Sequence, residues 1–360
     1  MSSDTRVGGS DAGDGLRFVF SCPTPVDKVR AEVLRPEFSD CQEAVLVRRG
    51  STPVARAVAR LSPLHRTPVG APYGMIGFFE AMNDREAVSA LFDRAVSWLR
   101  ERGAGPVIGP MNGDTWHNYR LNIGPHDQPP FLMEPYQPLY YQALWERYGF
   151  RPLEGYSSTF VTRLDAAIEN TEAIARRCEK HGYVLERIAL NRFERELGRL
   201  YELSCAVFEG NFLYSPISRD EFIGLYADSR RLLDPDLIWF ARSPAGQDVG
   251  FVFAFADCFR AVRAMAGRRT ALARLTFLLL KGRTDAVNIK TMGVRPEVRG
   301  SGVALLLMNR IYRTAREKGF RRANLCLMRD GNPSARMDGK QGHLLRRYAL
   351  YQLDEQTEDA

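Results

Sequence analysis

The 360-residue sequence lacks an apolar run long enough to cross a membrane. Its longest near-continuous apolar run, residues 272–280, has nine residues and contains Arg274, whereas a membrane-spanning helix needs about 20 apolar residues. The N-terminus contains no apolar segment of the kind found in signal peptides, and we expect residues 1–16 to form a disordered leader. These absences exclude a membrane-spanning enzyme and predict a cytoplasmic protein with no membrane partner.

Cysteine and histidine do not occur in the patterns that bind metal ions. The six cysteines stand singly, with no Cys-x-x-Cys pair, and the five histidines are scattered along the chain. Such spacing is typical of free thiols in a reducing compartment, and we expect no metal site.

Lysine is scarce too, because 44 of the 50 basic residues are arginine. The formal net charge of +7 is unevenly distributed: residues 259–347 contain 21 Lys and Arg against 5 Asp and Glu, a local net charge of +16. Arginine richness often reflects nucleotide composition, so only the clustering is informative. The cluster indicates a polyanionic partner, which is a nucleic acid, an anionic membrane surface or a phosphate-bearing cofactor.

The alternation of apolar stretches and turn residues predicts the same order of elements in both halves of the chain: hairpin, strand, helix, strand, helix, strand. In the second half the predicted elements include a helix at 219–231, a hairpin at 236–256, a strand at 286–294, a helix at 303–318 and a strand at 323–328. We therefore predict a duplicated α/β domain, with a first domain at 17–164 and a second at 165–360.

The segment between the predicted strand and helix of the second half, VRPEVRGSGVA at 294–304, has the composition of an anion-binding turn. Gly300 and Gly302 permit a positive φ angle or a close approach of the backbone to a ligand. A helix starting near Ser301 directs free N–H groups and its positive dipole end at the turn, and Arg299 adds a charge. The alternative is a glycine turn with no ligand; the segment is neither a Walker loop nor a dinucleotide fingerprint.

This segment resembles the acyl-CoA signature of the GNAT superfamily of N-acyltransferases. The family pattern Arg/Gln-x-x-Gly-x-Gly/Ala is matched by Arg299, Gly302 and Ala304. The resemblance implies that the loop amides hold the CoA pyrophosphate and that the preceding strand pairs with the pantetheine arm. The implied CoA-binding residues are Met292, Gly293, Val294, Arg299, Gly300, Ser301, Gly302, Val303, Ala304 and, after the next strand, Asn332.

The first half resembles the same family more weakly. Residues 143–150, ALWERYGF, are similar to the family ending Ala-x-Leu-Tyr-Glu-x-x-Gly-Phe, but the turn at 80–84, EAMND, is acidic and has no glycine. The whole chain resembles bacterial tandem GNAT proteins. The implied fold class is α/β (α+β): two GNAT-like domains, each a mixed, mainly antiparallel sheet flanked by helices. The N-terminal domain is then a degenerate one that serves as scaffold or as a wall of the acceptor pocket.

The resemblance implies direct attack of an amine on the thioester of acetyl-CoA or another acyl-CoA, but the usual acid and base are absent. The strand at 288–294 has no carboxylate, and residues 335–339 lack the proton-donating Tyr of the family. A backbone N–H near residues 292–294 is a candidate oxyanion donor. The candidate catalytic residues are Glu209 and Asp257 as bases and Tyr348 and Tyr351 as acids, each with a purely structural role as the alternative.

The leading hypothesis is a CoA-dependent N-acyltransferase, with acetyl the expected acyl group, acting on a small amine or amino-acid-like acceptor. One alternative is an aminoacyl-tRNA-dependent transferase, because the +16 region would suit an RNA backbone; nucleic acid is otherwise not expected as a partner. An acyl carrier protein is a further candidate donor. The remaining alternative is a CoA-binding module without catalytic activity.

Overall fold

The computed structural model describes residues 42–268, 270–333, 337 and 341–354. The predicted leader at 1–16 lies outside these residues. The strands are β1 Gln42–Arg49, β2 Thr52–Arg66, β3 Pro72–Ala81, β4 Val107–Gly109, β5 Leu121–Gly124, β6 Arg151–Val161, β7 Val184–Arg187, β8 Ile238–Arg242, β9 Asp248–Ala256, β10 Ala286–Val294, β11 Arg322–Arg329 and β12 His343–Leu353. The α-helices are α1 Arg85–Arg100, α2 Tyr140–Tyr148, α3 Leu164–Lys180, α4 Phe193–Phe208, α5 Arg219–Tyr226, α6 Phe259–Ala264, α7 Ala271–Leu280 and α8 Val303–Glu317.

The strands form one continuous sheet in the order β1-β2-β3-β4-β12-β6-β11-β10-β9-β8-β7, with β5 paired to β12. Neighbouring strands are antiparallel except for two parallel pairs, β3 with β4 and β10 with β11. Each parallel pair is joined through a helix, as a parallel connection requires. The predicted fold class, a mixed and mainly antiparallel α/β arrangement flanked by helices, is therefore confirmed.

The last strand of each half of the chain pairs with a strand of the other half. β6 lies against β11, and β12 lies against β4. β6 and β12 also pair with each other, with Tyr156 opposite Tyr348. The two halves consequently share the centre of the sheet.

The three largest apolar cores among the described residues pack against this sheet. Helix α1 begins at Asp84, whose side chain accepts a hydrogen bond from the Ala87 N–H, and buries Phe92 and Leu99 in the core of the first half. Helices α3 and α8 cover one face of β8–β11, and α4 and α5 cover the other face. The strand β10 therefore lies between two helical layers.

The sequence-based elements agree with the structure where the apolar period is strong. The predicted strand at 286–294 has the bounds of β10. The predicted helix at 219–231 is wrong in length, because α5 ends at Tyr226 and the chain continues as a tighter 3-10 helix, Ala227–Leu232; such tightening is common at helix C-termini. The apolar run containing residues 272–280 forms helix α7. Among the described residues, none of the helices combines the length and apolar character needed to span a membrane.

Candidate functional site

The parallel strands β10 and β11 separate after a short paired stretch. They pair from Ala286 opposite Arg322 to Ile289 opposite Leu325. Beyond this point the register of β10 on β9 shifts around Lys290, and the register of β11 on β6 shifts before Met328. These two bulges bend the strands apart. They open a gap, here called the wedge, that begins at Lys290 on one side and at Cys326 on the other.

The turn after β10 forms one end of the wedge. Gly300 and Gly302 have φ angles of 83° and 96°, and Gly302 is the N-cap of α8. Within the described structure, the backbone N–H groups of Gly300 and Ala304 donate no hydrogen bond. A Cβ atom at Gly300 would meet nothing within 4 Å. The turn therefore offers free N–H groups, open space and the positive end of a helix dipole, which together suit a phosphate group.

Gly302 has a second role that the sequence did not indicate. A Cβ atom there would lie 2.6 Å from Ile174 Cγ2 and 3.1 Å from Cys178 Sγ, both on α3. Glycine at this position therefore lets α3 approach the start of α8. A substitution at Gly302 would disturb the packing of α3 as well as any ligand, whereas one at Gly300 would not.

Arg299 connects the turn to the end of helix α4. Its Nη2 donates a hydrogen bond to the Val207 carbonyl, at 3.1 Å, and the side chain is otherwise exposed. Gly293 lets β10 approach the Val207 side chain, because a Cβ atom at Gly293 would lie 2.2 Å from Val207 Cγ1. Ser301 Oγ donates to the Val298 carbonyl at 2.7 Å. The turn is thus braced against α4 while Gly300 stays accessible.

Most of the other predicted CoA-binding residues lie directly before or after the same turn. Met292 and Val294 are partly buried against the core beneath α8, and Val303 is buried in the first turn of that helix. Asn332 lies apart from them, after β11 on the opposite arm of the wedge.

A group of polar side chains, here called the polar cluster, lies where the wedge begins. It consists of Lys290, Cys326, Glu134, Arg346 and Tyr348. The Glu134 carboxylate accepts hydrogen bonds from Arg346 Nε at 3.0 Å and from Tyr348 Oη at 2.5 Å. Burial raises the pKa of Glu134 and of Tyr348. Tyr348 therefore stays protonated and can donate a hydrogen bond.

Lys290 is the member of the polar cluster on the bulge of β10. Burial, aided by the charge of nearby Arg120, lowers the pKa of the Lys290 ammonium to about 8. An amine with this pKa exchanges protons near neutral pH, which an ordinary lysine does not. Its one signal in the sequence was a charged residue within an otherwise uncharged strand. Glu134 gave no signal, because its partners lie more than 200 positions away.

The structure separates the predicted catalytic residues from one another. Asp257 Oδ1 accepts hydrogen bonds from the Leu132 and Phe259 N–H groups, at 3.0 and 3.3 Å, and so holds the segment that leads to Glu134. Burial raises the pKa of Asp257. Glu209 is exposed and directly follows α4. Asp257 is therefore close to the polar cluster, and Glu209 is at the helix end that contacts Arg299.

Tyr351 lies apart from the wedge. It is fully buried in the core of the first half, beside Trp145, and its hydroxyl donates to Glu146 Oε1 at 2.9 Å. Tyr348, three positions earlier on β12, is the tyrosine that reaches the polar cluster. The two tyrosines lie on opposite faces of β12, as residues three apart on a strand do, and the sequence did not show which face meets the wedge.

The corresponding region of the first half is closed. The parallel strands β3 and β4 pair only at Gly74–Val107 and Met75–Ile108. The chain after β4 then fills the gap: a Cβ at Gly77 would be 2.0 Å from the Met111 carbonyl oxygen, and Phe78 N–H donates to Asn112 Oδ1 at 2.7 Å. No comparable opening for a ligand exists between the described residues of this strand pair.

One group of described side chains has the geometry to hold a metal ion. Potential ligand atoms of Asp114, His117 and Glu221 lie within 4.8 Å of one another. The Asp114 carboxylate already accepts hydrogen bonds from His117 Nδ1, at 2.8 Å, and from the Trp116 N–H. Hydrogen bonding to Asp114 raises the pKa of His117. The arrangement is therefore satisfied as an ion pair that links the first half to α5.

Comparison with known proteins identifies the domain that contains the wedge. Residues 199–342 match the model of the Acetyltransferase (GNAT) family. This part of the chain is therefore a GNAT domain. Its GNAT domain starts within α4 and ends before β12, so it includes Lys290, the glycine turn and Asn332. The protein is an acyltransferase, and the family identity predicted from the signature at Arg299–Ala304 is confirmed.

Similar proteins extend the likeness beyond the GNAT domain. The bacterial ceramide synthase of Caulobacter vibrioides is 24% identical over 324 residues, which are 86% of this chain and 83% of that protein. Protein YghO of Escherichia coli is 24% identical over 272 residues, or 74% of this chain and 70% of its own length. The glucosamine N-acetyltransferase region of a fungal multi-domain GH3 β-N-acetylglucosaminidase has the same fold, with a TM-score of 0.51 at 14% identity; the match covers 88% of this chain and 33% of that one.

Proposed function

We propose that this GNAT protein is an N-acyltransferase that moves an acyl group from acyl-CoA to the primary amine of a long-chain, lipid-like acceptor. The main support is the wedge, which joins an open phosphate-binding turn to a lysine with a pKa of about 8. The nature of the acceptor is supported by the similarity to a bacterial ceramide synthase over most of the chain. The small amine or amino-acid-like acceptor expected from the sequence fits that relative poorly.

The donor would bind along β10. The free N–H groups of Gly300 and Ala304 would hold the pyrophosphate, and exposed Arg299 would add a counter-charge. Beyond the last pair with β11, the edge of β10 is free to pair with an amide-containing arm. This assignment places the thioester near the Lys290 bulge. Bulged backbone has unpaired N–H groups, which can stabilise the oxyanion of a tetrahedral intermediate.

Lys290 is the residue that we assign to proton transfer. The acceptor amine enters in its neutral form and its nitrogen attacks the acyl carbon. As the C–N bond forms, the neutral Lys290 amine takes a proton from that nitrogen. The C–S bond then breaks, and the Lys290 ammonium gives the proton to the departing thiolate. The proton that leaves the acceptor nitrogen is the one that the thiolate receives, so no second acid is required.

The rest of the polar cluster positions Lys290 and the acceptor. Arg346 and Tyr348 hold the buried Glu134 carboxylate, which lies near Lys290. Asp257 fixes the segment before Glu134 through the Leu132 N–H. Glu134 and Asp257 are positioning residues in this mechanism. Glu209 stays a candidate for contact with the acceptor at the rim, and Tyr351 has no role in it.

The two halves then have different tasks. The second domain, 165–360, binds the donor, and the first, 17–164, supplies Glu134 and one wall of the acceptor pocket. This assignment agrees with the filled gap between β3 and β4 near Gly77. It also agrees with the acidic turn after β3, where Asp84 pairs with Arg49 and would repel a pyrophosphate.

Turnover with defined donors and acceptors tests this proposal. The protein is incubated with acetyl-CoA or a long-chain acyl-CoA and with a long-chain amino alcohol or a short amine, and thiol release and amide mass are measured. We expect amide formation with the long-chain acceptor and a large loss in Lys290→Met. An acyl carrier protein thioester serves as the second donor. Absence of amine-dependent thiol release with every pair would refute the proposal.

A further inference from the structure

Helix α7 exposes one continuous apolar face. Leu272, Leu275, Leu278 and Leu279 are 73%, 52%, 58% and 64% exposed. At 100° per residue these four side chains fall within an arc of about 120°. The opposite side of the helix contacts the fold through buried Ala273 and through Phe277, which packs against the core beneath α4. Helix α7 is therefore anchored on one side, and no described residue covers the other side.

This concentration of exposed leucine is unusual for a water-exposed helix. Twelve large apolar side chains are exposed in the described structure, and four of them belong to this ten-residue helix. Singly exposed apolar residues are normal, but a contiguous patch indicates an interaction site. Helix propensity or packing within the chain does not require leucine at these four positions.

Basic residues are concentrated in the chain segment that contains the leucine face. The exposed cations of the segment from α6 to the start of β10 are Arg260, Arg263, Arg268, Arg274, Lys281 and Arg283. None of these six forms an ion pair with a described residue. Asp285 is the one exposed acidic residue of that segment among the described positions. By contrast, Arg199 on α4 is paired with three carboxylates. The cations around α7 are thus available to an anionic partner.

We propose that helix α7 docks on an anionic lipid bilayer, with its leucine face in the acyl boundary and the surrounding cations at the headgroup phosphates. A leucine face bordered by Arg and Lys is the pattern of helices that lie in the membrane interface. Ten residues span about 15 Å, half of a bilayer core, so the helix lies on the surface and does not cross it. The cations also explain why a bilayer fits better than a second copy of this chain, whose identical face would be repelled.

Docking at α7 would bring the bilayer close to the wedge. The helix leads through Lys281 and Arg283 into β10, and Lys290 lies four residues after the start of that strand, about 13 Å along it. This proposal differs from the expectation of no membrane partner, which rested on the lack of a spanning segment. It does not depend on the proposed acyl transfer, because binding is measured without substrates.

Vesicle co-sedimentation tests the docking. The full-length protein is mixed with vesicles of phosphatidylcholine alone or with 30% phosphatidylglycerol, and the bound fraction is measured against lipid concentration. We expect binding to the anionic vesicles that weakens as salt is raised. Leu275→Gln with Leu279→Gln should lower the partition coefficient at least ten-fold. The control is Leu64→Gln with Leu139→Gln, two leucines exposed to a similar extent elsewhere, which should leave it unchanged.

A charge variant tests the same surface without altering the leucines. Arg263→Glu with Lys281→Glu should weaken binding about five-fold or more for each charge removed. Lys180→Glu with Arg195→Glu makes the same change in net charge on exposed residues of α3 and α4 and should have a small effect. Equal binding to neutral and anionic vesicles, or equal effects of the paired variants, would overturn the proposal. A dimer in solution that Leu275→Gln and Leu279→Gln dissociate would overturn it in favour of a second copy.

Discussion

Replacement of Lys290 by methionine tests the proton transfer that we assign to this residue. With a pKa of about 8, about one Lys290 side chain in ten is neutral at pH 7, compared with about one in 3,000 for a lysine at the ordinary value of 10.5. The site therefore raises the population of the proton acceptor about 300-fold. A general base of this kind contributes about 10²–10⁴-fold to the rate, which is the loss in kcat expected for Lys290→Met.

The pH dependence of the rate distinguishes a base from a residue that only fills space. For the wild type, kcat/KM calculated on the concentration of neutral acceptor amine should rise about ten-fold per pH unit up to pH 8 and then level off, because activity then follows the neutral fraction of Lys290. The profile of Lys290→Met should lack this rise. Lys180→Met, which changes an exposed lysine of α3, is the matched control. A Lys290→Met enzyme that keeps both the wild-type rate and its pH profile would refute the assignment.

The same substitution, Lys290→Met, should increase the stability of the protein although it lowers the activity. The pKa of Lys290 is lower in the folded state than the 10.5 of the unfolded chain, so the folded state binds fewer protons between these values and the free energy of unfolding rises from pH 8 to pH 10.5. Below pH 8 the full penalty, about 3 kcal/mol, is present. Lys290→Met should therefore stabilise the protein by up to about 3 kcal/mol at pH 7 in urea unfolding. A destabilised variant would show that the ammonium is well solvated in the folded protein.

Three further predictions concern the turn, the polar cluster and the link between the halves. Gly300→Asp places a negative charge in open space and should weaken CoA binding, measured by calorimetry, 30-fold or more. The reason is that a negative charge about 6 Å from a pyrophosphate costs roughly 2–3 kcal/mol at low salt. The control Gly300→Asn has the same backbone strain and should bind CoA nearly as the wild type does. Arg346→Met should cost about 3 kcal/mol of unfolding free energy, because it leaves buried Glu134 unpaired, and adding Glu134→Gln should restore part of the loss. The raised pKa of His117 means that its pairing with Asp114 stabilises the fold fully below pH 6.5 and is lost as pH rises through the folded value, a dependence that His117→Gln should remove.

Local patterns in the sequence were sufficient to predict the donor side of the site. The apolar period places a helix after the turn, and two glycines in that turn require either positive φ angles or close contacts; Gly300 and Gly302 have the former, and Gly302 also has the latter. The signature at Arg299–Ala304 was sufficient for the family. Each of these features is encoded within about fifteen consecutive residues.

The acceptor side could not be predicted in the same way. Glu134, Arg346 and Tyr348 meet only because β12 crosses into the centre of the sheet, and no local pattern encodes that crossing. The bulge at Lys290 depends on how β10 is paired with β9, which is again a property of the assembled sheet. Tyr351 was selected together with Tyr348 because the sequence did not show which face of β12 meets the site; the two tyrosines lie in different cores.

The pairing of β6 with β11 and of β12 with β4 has a consequence for folding during synthesis. During synthesis the strand β4 emerges long before β12, the strand that pairs with it and forms its edge of the shared sheet. Domains usually fold in order as they leave the ribosome, but the first half of this chain cannot complete its sheet until the last described strand has been made. Until then β4 presents an unpaired edge, which is a template for association with other chains. A nascent chain halted before residue 343 should therefore depend on chaperones, and its release should coincide with synthesis of the final strand.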